Sequence, residues 1–341
     1  MTVRACLDIM PGSYAQLIRT ASACERAGLA ALGIADSPLV ARELYVSCAA
    51  CVLATSRMRV FTGVTNPVTR HPSVTASAAL SLSELAPGRI AIGIATGDSA
   101  LWSVGLRPAK VAELREYVLA VKALLRGEPA HWQGRSFQGR WSGAGPKDPP
   151  PVYVACSGPN ALKAGAQVGD GLILSMGYAH EDIDHVHALI DEACHEMGRD
   201  PRELELWWYS EISFAKDATA GMESSLGWFS QWLTMGSMEG KRIPEEYKPL
   251  LRKLHADTFD LQASYKQSDR GKILVDRARE LGIHDWLVSR SARLWGTVED
   301  VRERFAELEA QGLENWFLYP DGGETDPLRV AELLAAVKAS G

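Results

Sequence analysis

The sequence predicts an α/β protein closed into a (β/α)₈ barrel of the TIM type, with a helical insertion after strand seven. Three observations lead there. Eight short apolar runs recur along the 341 residues, each too short and too uniformly apolar for a strand with one wet face. Segments of helical period separate most of them. The turn after the first run, Asp8-Ile9-Met10-Pro11-Gly12, is not the glycine-rich phosphate loop that an open doubly wound sheet carries at that point.

Val3–Ile9 reads as the first strand, stopped by Pro11-Gly12. Tyr14, Leu17, Ile18, Ala21 and Cys24 then recur at helical spacing up to Gly28. Leu29–Ala35 is the second strand, followed by a helix through Leu44–Leu53. Arg59–Val64 is the third, and the helix after it, Val74–Leu85, is closed by Pro87-Gly88. Ile90–Ala95 is the fourth. Val111, Leu114, Val118, Val121 and Leu125 form the apolar stripe of the next helix. His131–Pro151 is rich in glycine, proline and aromatics and predicts an excursion, with a hairpin as its simplest form. Val152–Ala155 is strand five, Ala161–Val168 a helix, and Gly171–Leu174 strand six. A helix with Ile183, Val186, Leu189 and Ile190 on one face leads to strand seven, Leu204–Phe214.

From about Ala215 to Arg293 the rhythm breaks. The stretch is too long for a loop without structure of its own and is rich in helix formers and tryptophan. It reads as an inserted helical segment over the barrel mouth or at an oligomer contact. Trp228, Trp232, Met235 and Met238 recur there at near-helical spacing, a pattern that reads as packing. Thr297 and Asp300 then stand at capping-box spacing, and Asn315–Tyr319 is the eighth strand. No linker divides the chain, so residues 1–341 are expected to form one domain.

Composition narrows the function classes. A hydrophobic share of 46%, a charged share of 23% and a net charge of −6 describe an ordinary globular chain with no electrostatic grip on a nucleic acid. No apolar run approaches the roughly 18 residues of a membrane span. The first residues lack the parts of a signal peptide, so a cytoplasmic, reducing location is expected. Cys48 and Cys51 form Cys-x-x-Cys, yet they lie in an alanine-rich helical stretch with no second pair to complete a metal site. His180, His185, His187 and His195 fall off their helix's apolar stripe and lack the His-Glu-x-x-His arrangement. No metal is expected.

In a barrel of this kind the active site forms just past the C-terminal ends of the strands. That rule selects Asp36 after strand two, Thr65-Asn66 after three and Thr96-Gly97-Asp98 after four. It adds Cys156-Ser157-Gly158 after five, Ser175-Met176-Gly177 after six, and Glu211 late in seven. Small residues, hydroxyls and amides with a few carboxylates suit a flat, polar-edged ring with a phosphate tail. Simpler roles stand beside these. Asp36 and Asp98 would serve as helix caps, and Thr65-Asn66 as turn formers before Pro67. His71 reads as a cap, with polarisation of a substrate as the alternative. Glu211 is either an acid in the mouth or structural. A metal-dependent hydrolase would need ligands at several strand ends, and the set lacks them.

The motif Gly63-Val64-Thr65-Asn66-Pro67-Val68-Thr69-Arg70-His71-Pro72 resembles one of the bacterial luciferase-like superfamily, in particular the branch containing methylenetetrahydromethanopterin reductase. The likeness runs on through Leu85-Ala86-Pro87-Gly88-Arg89-Ile90-Ala91-Ile92-Gly93-Ile94, Gly97-Asp98-Ser99 and Ala123-Leu124-Leu125-Arg126-Gly127-Glu128. It continues through Pro151-Val152-Tyr153-Val154-Ala155-Cys156-Ser157-Gly158-Pro159 and Ala166-Gln167-Val168-Gly169-Asp170-Gly171.

The resemblance implies an oxidoreductase binding FMN or coenzyme F420 and acting on a small organic substrate, in a homodimer. Carried over residue by residue, Asp36, Gly63, Val64, Thr65 and Asn66 would line the ring pocket, with Thr96, Gly97 and Asp98 beside it. Ala155, Cys156, Ser157 and Gly158, with Ser175, Met176 and Gly177, would hold the ring edge, side chain or phosphate. A non-prolyl cis peptide is implied at Gly63–Val64. The cofactor carries the hydride or oxygen chemistry, so no protein nucleophile is expected; Asp36, His71 and Glu211 are the candidate catalytic groups. Either F420 exchanges a hydride directly, or reduced FMN from a separate flavin reductase activates oxygen for monooxygenation. The motifs point toward the F420 branch. The alternative is a non-catalytic relative that keeps the barrel for binding or assembly. The insertion, where matching is poorest, is expected to shape substrate choice.

Overall fold

The computed structural model describes residues 3–141, 148–256 and 270–339. Strands one to eight are Arg4–Ile9, Ala31–Ile34, Arg59–Thr65, Ile90–Ile94, Val152–Cys156, Gly171–Leu174, Glu205–Phe214 and Asn315–Pro320. Each pairs in parallel with the next. Strand one also pairs with strand eight through Cys6 and Phe317, so the ring closes and leaves no open edge. Every predicted strand is present, with ends shifted by one or two residues. The register slips between Thr62 and Thr65, at a cis Gly63–Val64 peptide.

The predicted excursion contains an antiparallel hairpin, Ala130–Trp132 against Arg135–Phe137, while residues 142–147 lie outside the described residues. The described part of the insertion carries helices Ala218–Thr234, Tyr247–His255, Arg270–Glu280 and His284–Arg290, with turns between the first two. Asp217 starts the first of these by accepting from Ala220 N at 2.9 Å. The last is anchored to the barrel by a buried fork, with Arg290 Nε and Nη2 donating to Asp182 at 2.8 and 2.7 Å. Removing one partner of such a pair costs about 3–5 kcal/mol. The capping box at Thr297 and Asp300 forms as its spacing predicts. All six cysteines are free and buried, Cys48 and Cys51 within helix Leu44–Leu53. No helix among the described residues is long and apolar enough to cross a membrane.

The barrel interior is layered. At its foot Arg4 and Arg59 each reach Glu205 at 2.9 Å, and the Tyr153 hydroxyl donates to the same carboxylate. Above them Phe61 packs edge to face on Tyr153, Trp207 and Phe317, with centroids 5.0, 5.4 and 5.5 Å apart. Trp208, the next residue along strand seven, points the other way into the shell between barrel and helices. One layer higher, strands two, three and four carry Gly33, Gly63 and Gly93. A Cβ on Gly33 would stand 2.6 Å from Asp8 Oδ1 and 2.7 Å from the Phe317 ring. Glycine is required there because Asp8 and Phe317 already fill the axis. Above this layer the barrel is open.

Candidate active site

The opening is a cavity of about 190 Å³ at the C-terminal end of the strands. One water needs roughly 10–15 Å³, so the mouth has room for a ring system. Its walls are of two kinds. Strands two to six contribute small and polar groups: Asp36 and Ser37; Gly63, Val64 and Asn66; Ala95 to Ala100; Ala155, Cys156 and Ser157; and Ser175. Strands seven and eight and the insertion contribute Tyr209, Phe317, Tyr319, Trp228, Trp232 and Met235.

On the polar side Asn66 is fixed by its own turn. Its Oδ1 accepts from Val68 N at 3.0 Å and Thr69 N at 2.9 Å, which leaves no ambiguity about which end carries the amide hydrogens. Its Nδ2 is buried in the cavity wall without a partner. Asp36 is not a helix cap; Glu43 fills that role for helix Leu44–Leu53. Asp36 instead pairs with Arg70 and accepts from Thr65 Oγ1 at 2.8 Å. Asp98 both caps the short helix Ser99–Trp102 and lines the cavity. Burial pushes its carboxyl up, and hydrogen bonds from Ser99 offset only part of that. Ser99 Oγ also meets Ser37 Oγ at 2.6 Å, joining the loops after strands two and four.

Asp8, at the cavity floor, was not singled out by the strand-end rule. Burial pushes its carboxyl well above the usual range, and only the Ile9 backbone works against this. Its Oδ1 has no partner. The legible signal is a single carboxylate within the apolar run from Ala5 to Ile9.

Several predicted residues stand elsewhere. Thr65 is fully buried and serves Asp36, not the cavity. His71 caps helix Pro72–Leu85 and is exposed. Gly158 backs onto Lys241, whose Cε would lie 3.1 Å from an added Cβ. Met176 belongs to the apolar shell, and Gly177, at φ +111°, packs against the Asp182–Arg290 pair. The chain after strand six therefore turns away beyond Ser175 to dock the insertion. Glu211 faces the barrel interior but lies behind Trp232, whose Nε1 donates to it at 3.0 Å. Burial raises its carboxyl to about 8.

The packing reading of the tryptophan and methionine stripe needs correction. Trp228, Trp232 and Met235 are half-buried and face the cavity, whereas Met238 is buried in the core. Their spacing of four and three residues on one helix face was the available signal.

The luciferase-like monooxygenase family model matches residues 3–315. The chain belongs to that family. Among luciferase-like relatives, a 5,10-methylenetetrahydromethanopterin reductase of Methanolobus tindarius is 28% identical over 52% of this chain and 55% of its own length. An F420-dependent glucose-6-phosphate dehydrogenase of Beutenbergia cavernae is 30% identical over 59% of this chain and 62% of its own. The chain thus spans little more than half the length of these two relatives. A solved structure of the coenzyme F420 dependent tetrahydromethanopterin reductase from Methanopyrus kandleri superposes over 98% of this chain and 97% of that one. Its TM-score is 0.71 at 20% identity, a likeness of fold.

Proposed function

We propose that this chain is an oxidoreductase that binds a flavin-type cofactor in the barrel mouth, with coenzyme F420 favoured over FMN, and transfers a hydride to or from a small organic substrate. The carrying observation is the unpartnered Asn66 amide in the wall of a cavity floored by Asp8 and Phe317. Buried donors without partners are rare and mark a place for an acceptor from outside the chain. The polar edge of a flavin-type ring supplies such acceptors, and the small residues of strands two to six admit its close approach. Similarity to two proteins named for F420 or methanopterin chemistry supports the deazaflavin over FMN.

The bound cofactor supplies hydride chemistry; with FMN it would supply oxygen chemistry, and a flavin reductase would be the partner. The chain's own part is to orient and to exclude water. Asn66 donates, Ser157 and Ser175 offer hydroxyls, and the Asp36–Arg70 pair stiffens the loop beneath. Helix Pro159–Val168 has no side-chain cap, so its first N–H groups remain for an anion. Asp98, whose carboxyl burial pushes upward, stands beside the ring. An open, polar-lined mouth argues against a non-catalytic role.

Residues 1–341 act as one domain in this reading, and the free cysteines fit a cytoplasmic setting. We also place a second copy on helices Leu44–Leu53 and Pro72–Leu85. Val46, Leu53, Val74 and Leu85 are 54%, 71%, 50% and 49% exposed there, and Glu84 is the only charged residue of the two helices. Sedimentation equilibrium tests that dimer.

Titrating the chain with F420 and with FMN, followed by absorbance and fluorescence, tests the function. Asn66→Asp keeps the turn's acceptor and removes the donor. F420 affinity is expected to fall about tenfold, the worth of one buried hydrogen bond. Failure of both cofactors to bind overturns the reading.

A further inference from the structure

The half of the cavity built by strands seven and eight and the insertion differs from the other half in charge as well as shape. Its lining is Tyr209, Phe317, Tyr319, Trp228, Trp232 and Met235. Tyr209 meets Trp232 edge to face, with centroids 5.8 Å apart and planes at 83°. Tyr209 also stacks on Phe317 at 6.3 Å. The Trp232 ring is held in place by its hydrogen bond to Glu211. This is a preformed apolar wall with one polar tether behind it.

Among the described residues no lysine, arginine or histidine lines any part of the cavity, whereas Asp8, Asp36 and Asp98 do. The cations nearby are committed. Arg70 is bound to Asp36 and Glu43. Lys241 donates to the carbonyls of Trp232, Leu233 and Met235. Those carbonyls close helix Ala218–Thr234, so the helix end beside the aromatic wall is the negative one. On this side of the cavity a phosphate or carboxylate of the substrate would meet ring faces and a helix C-terminus, with no described side-chain cation in the lining to replace its water.

Resting on the cofactor reading above, we propose that the substrate is uncharged and lays an apolar face against the Trp232–Tyr209 wall, and that phosphorylated sugars are excluded. This sets the chain apart from the sugar-phosphate substrate in one relative's name.

The test measures binding of 2-cyclohexen-1-one, cyclohexanol and glucose 6-phosphate by quenching of tryptophan fluorescence, on the full chain with and without F420. At least one cyclic probe is expected to bind tenfold or more tightly than glucose 6-phosphate. Trp232→Ala should lose that preference about tenfold, while Trp232→Phe, which keeps a ring, should stay within threefold and guards against a folding artefact. Glucose 6-phosphate binding as tightly as the cyclic probes, or neither cyclic probe binding, overturns the proposal. Because discrimination is read without cofactor as well, a failure of F420 to bind defeats the functional reading and not this one.

Discussion

Glu205 and Glu211 lie on the same strand, both face the barrel interior, and end in opposite electrostatic states. Burial drives both upward, but at the foot the Tyr153 hydroxyl, Arg59 and Arg4 outweigh it and hold Glu205 below its usual range. At the mouth Glu211 has one indole N–H against full burial, and its carboxyl rises to about 8. The foot is a closed ion-pair plug, whereas at the mouth burial outweighs the few donors that reach Glu211 and pushes its carboxyl up. Position along a strand does not decide a carboxylate's state; the number of donors facing it does.

The comparison makes opposite pH signatures. A carboxyl raised in the folded state stabilises fully below its unfolded value near 4.5 and loses that contribution as pH climbs toward 8. The largest expected effect is therefore at Glu211. The intact chain should lose on the order of 3 kcal/mol between pH 5 and 8, and Glu211→Gln should remove most of that slope in urea titrations. The same variant should keep the Trp232 hydrogen bond, so probe binding should become flat with pH instead of weakening above pH 8. A variant whose slope is unchanged would break the contrast.

Glu205 should behave the other way. Its contribution is present above the unfolded value and lost as pH falls through the lowered folded one. Glu205→Gln should destabilise by about 1–2 kcal/mol at pH 7, discounted because both arginines are partly exposed, and the difference should vanish in acid. Thermal unfolding at pH 7 and pH 3 measures it. The smallest effect is expected at Asp8. If its carboxyl is neutral at pH 7, Asp8→Asn changes little in charge, and stability should move by less than about 1 kcal/mol. A larger loss would mean that the floor of the mouth holds a true carboxylate and resembles the foot.

Much of the frame could be read along the chain. Gly171–Leu174 shows why: a run of apolar residues between a helix and a turn has one way to sit in a buried parallel sheet. Asn66, Thr96, Gly97, Asp98, Ser157 and Ser175 reached the cavity because residues just past a strand's C-terminal end are placed there by local geometry alone. Met176 and Gly177 obey the same local rule and still miss, since the Asp182–Arg290 pair draws that loop under the insertion. Trp232 misled in the opposite sense. Helical spacing says which residues share a face, but not whether that face meets a core or an opening.

By itself the amino-acid order determined the succession of strands and helices, the closed barrel, and the polar half of its rim, because each rests on periodicity and on contacts short in sequence. Only the folded arrangement decided that burial pushes the Asp8 and Glu211 carboxyls up, that an inserted helix supplies an aromatic wall, and that no described cation shares it. Those outcomes depend on which groups of different elements meet in the fold, and desolvation acts through neighbours in space.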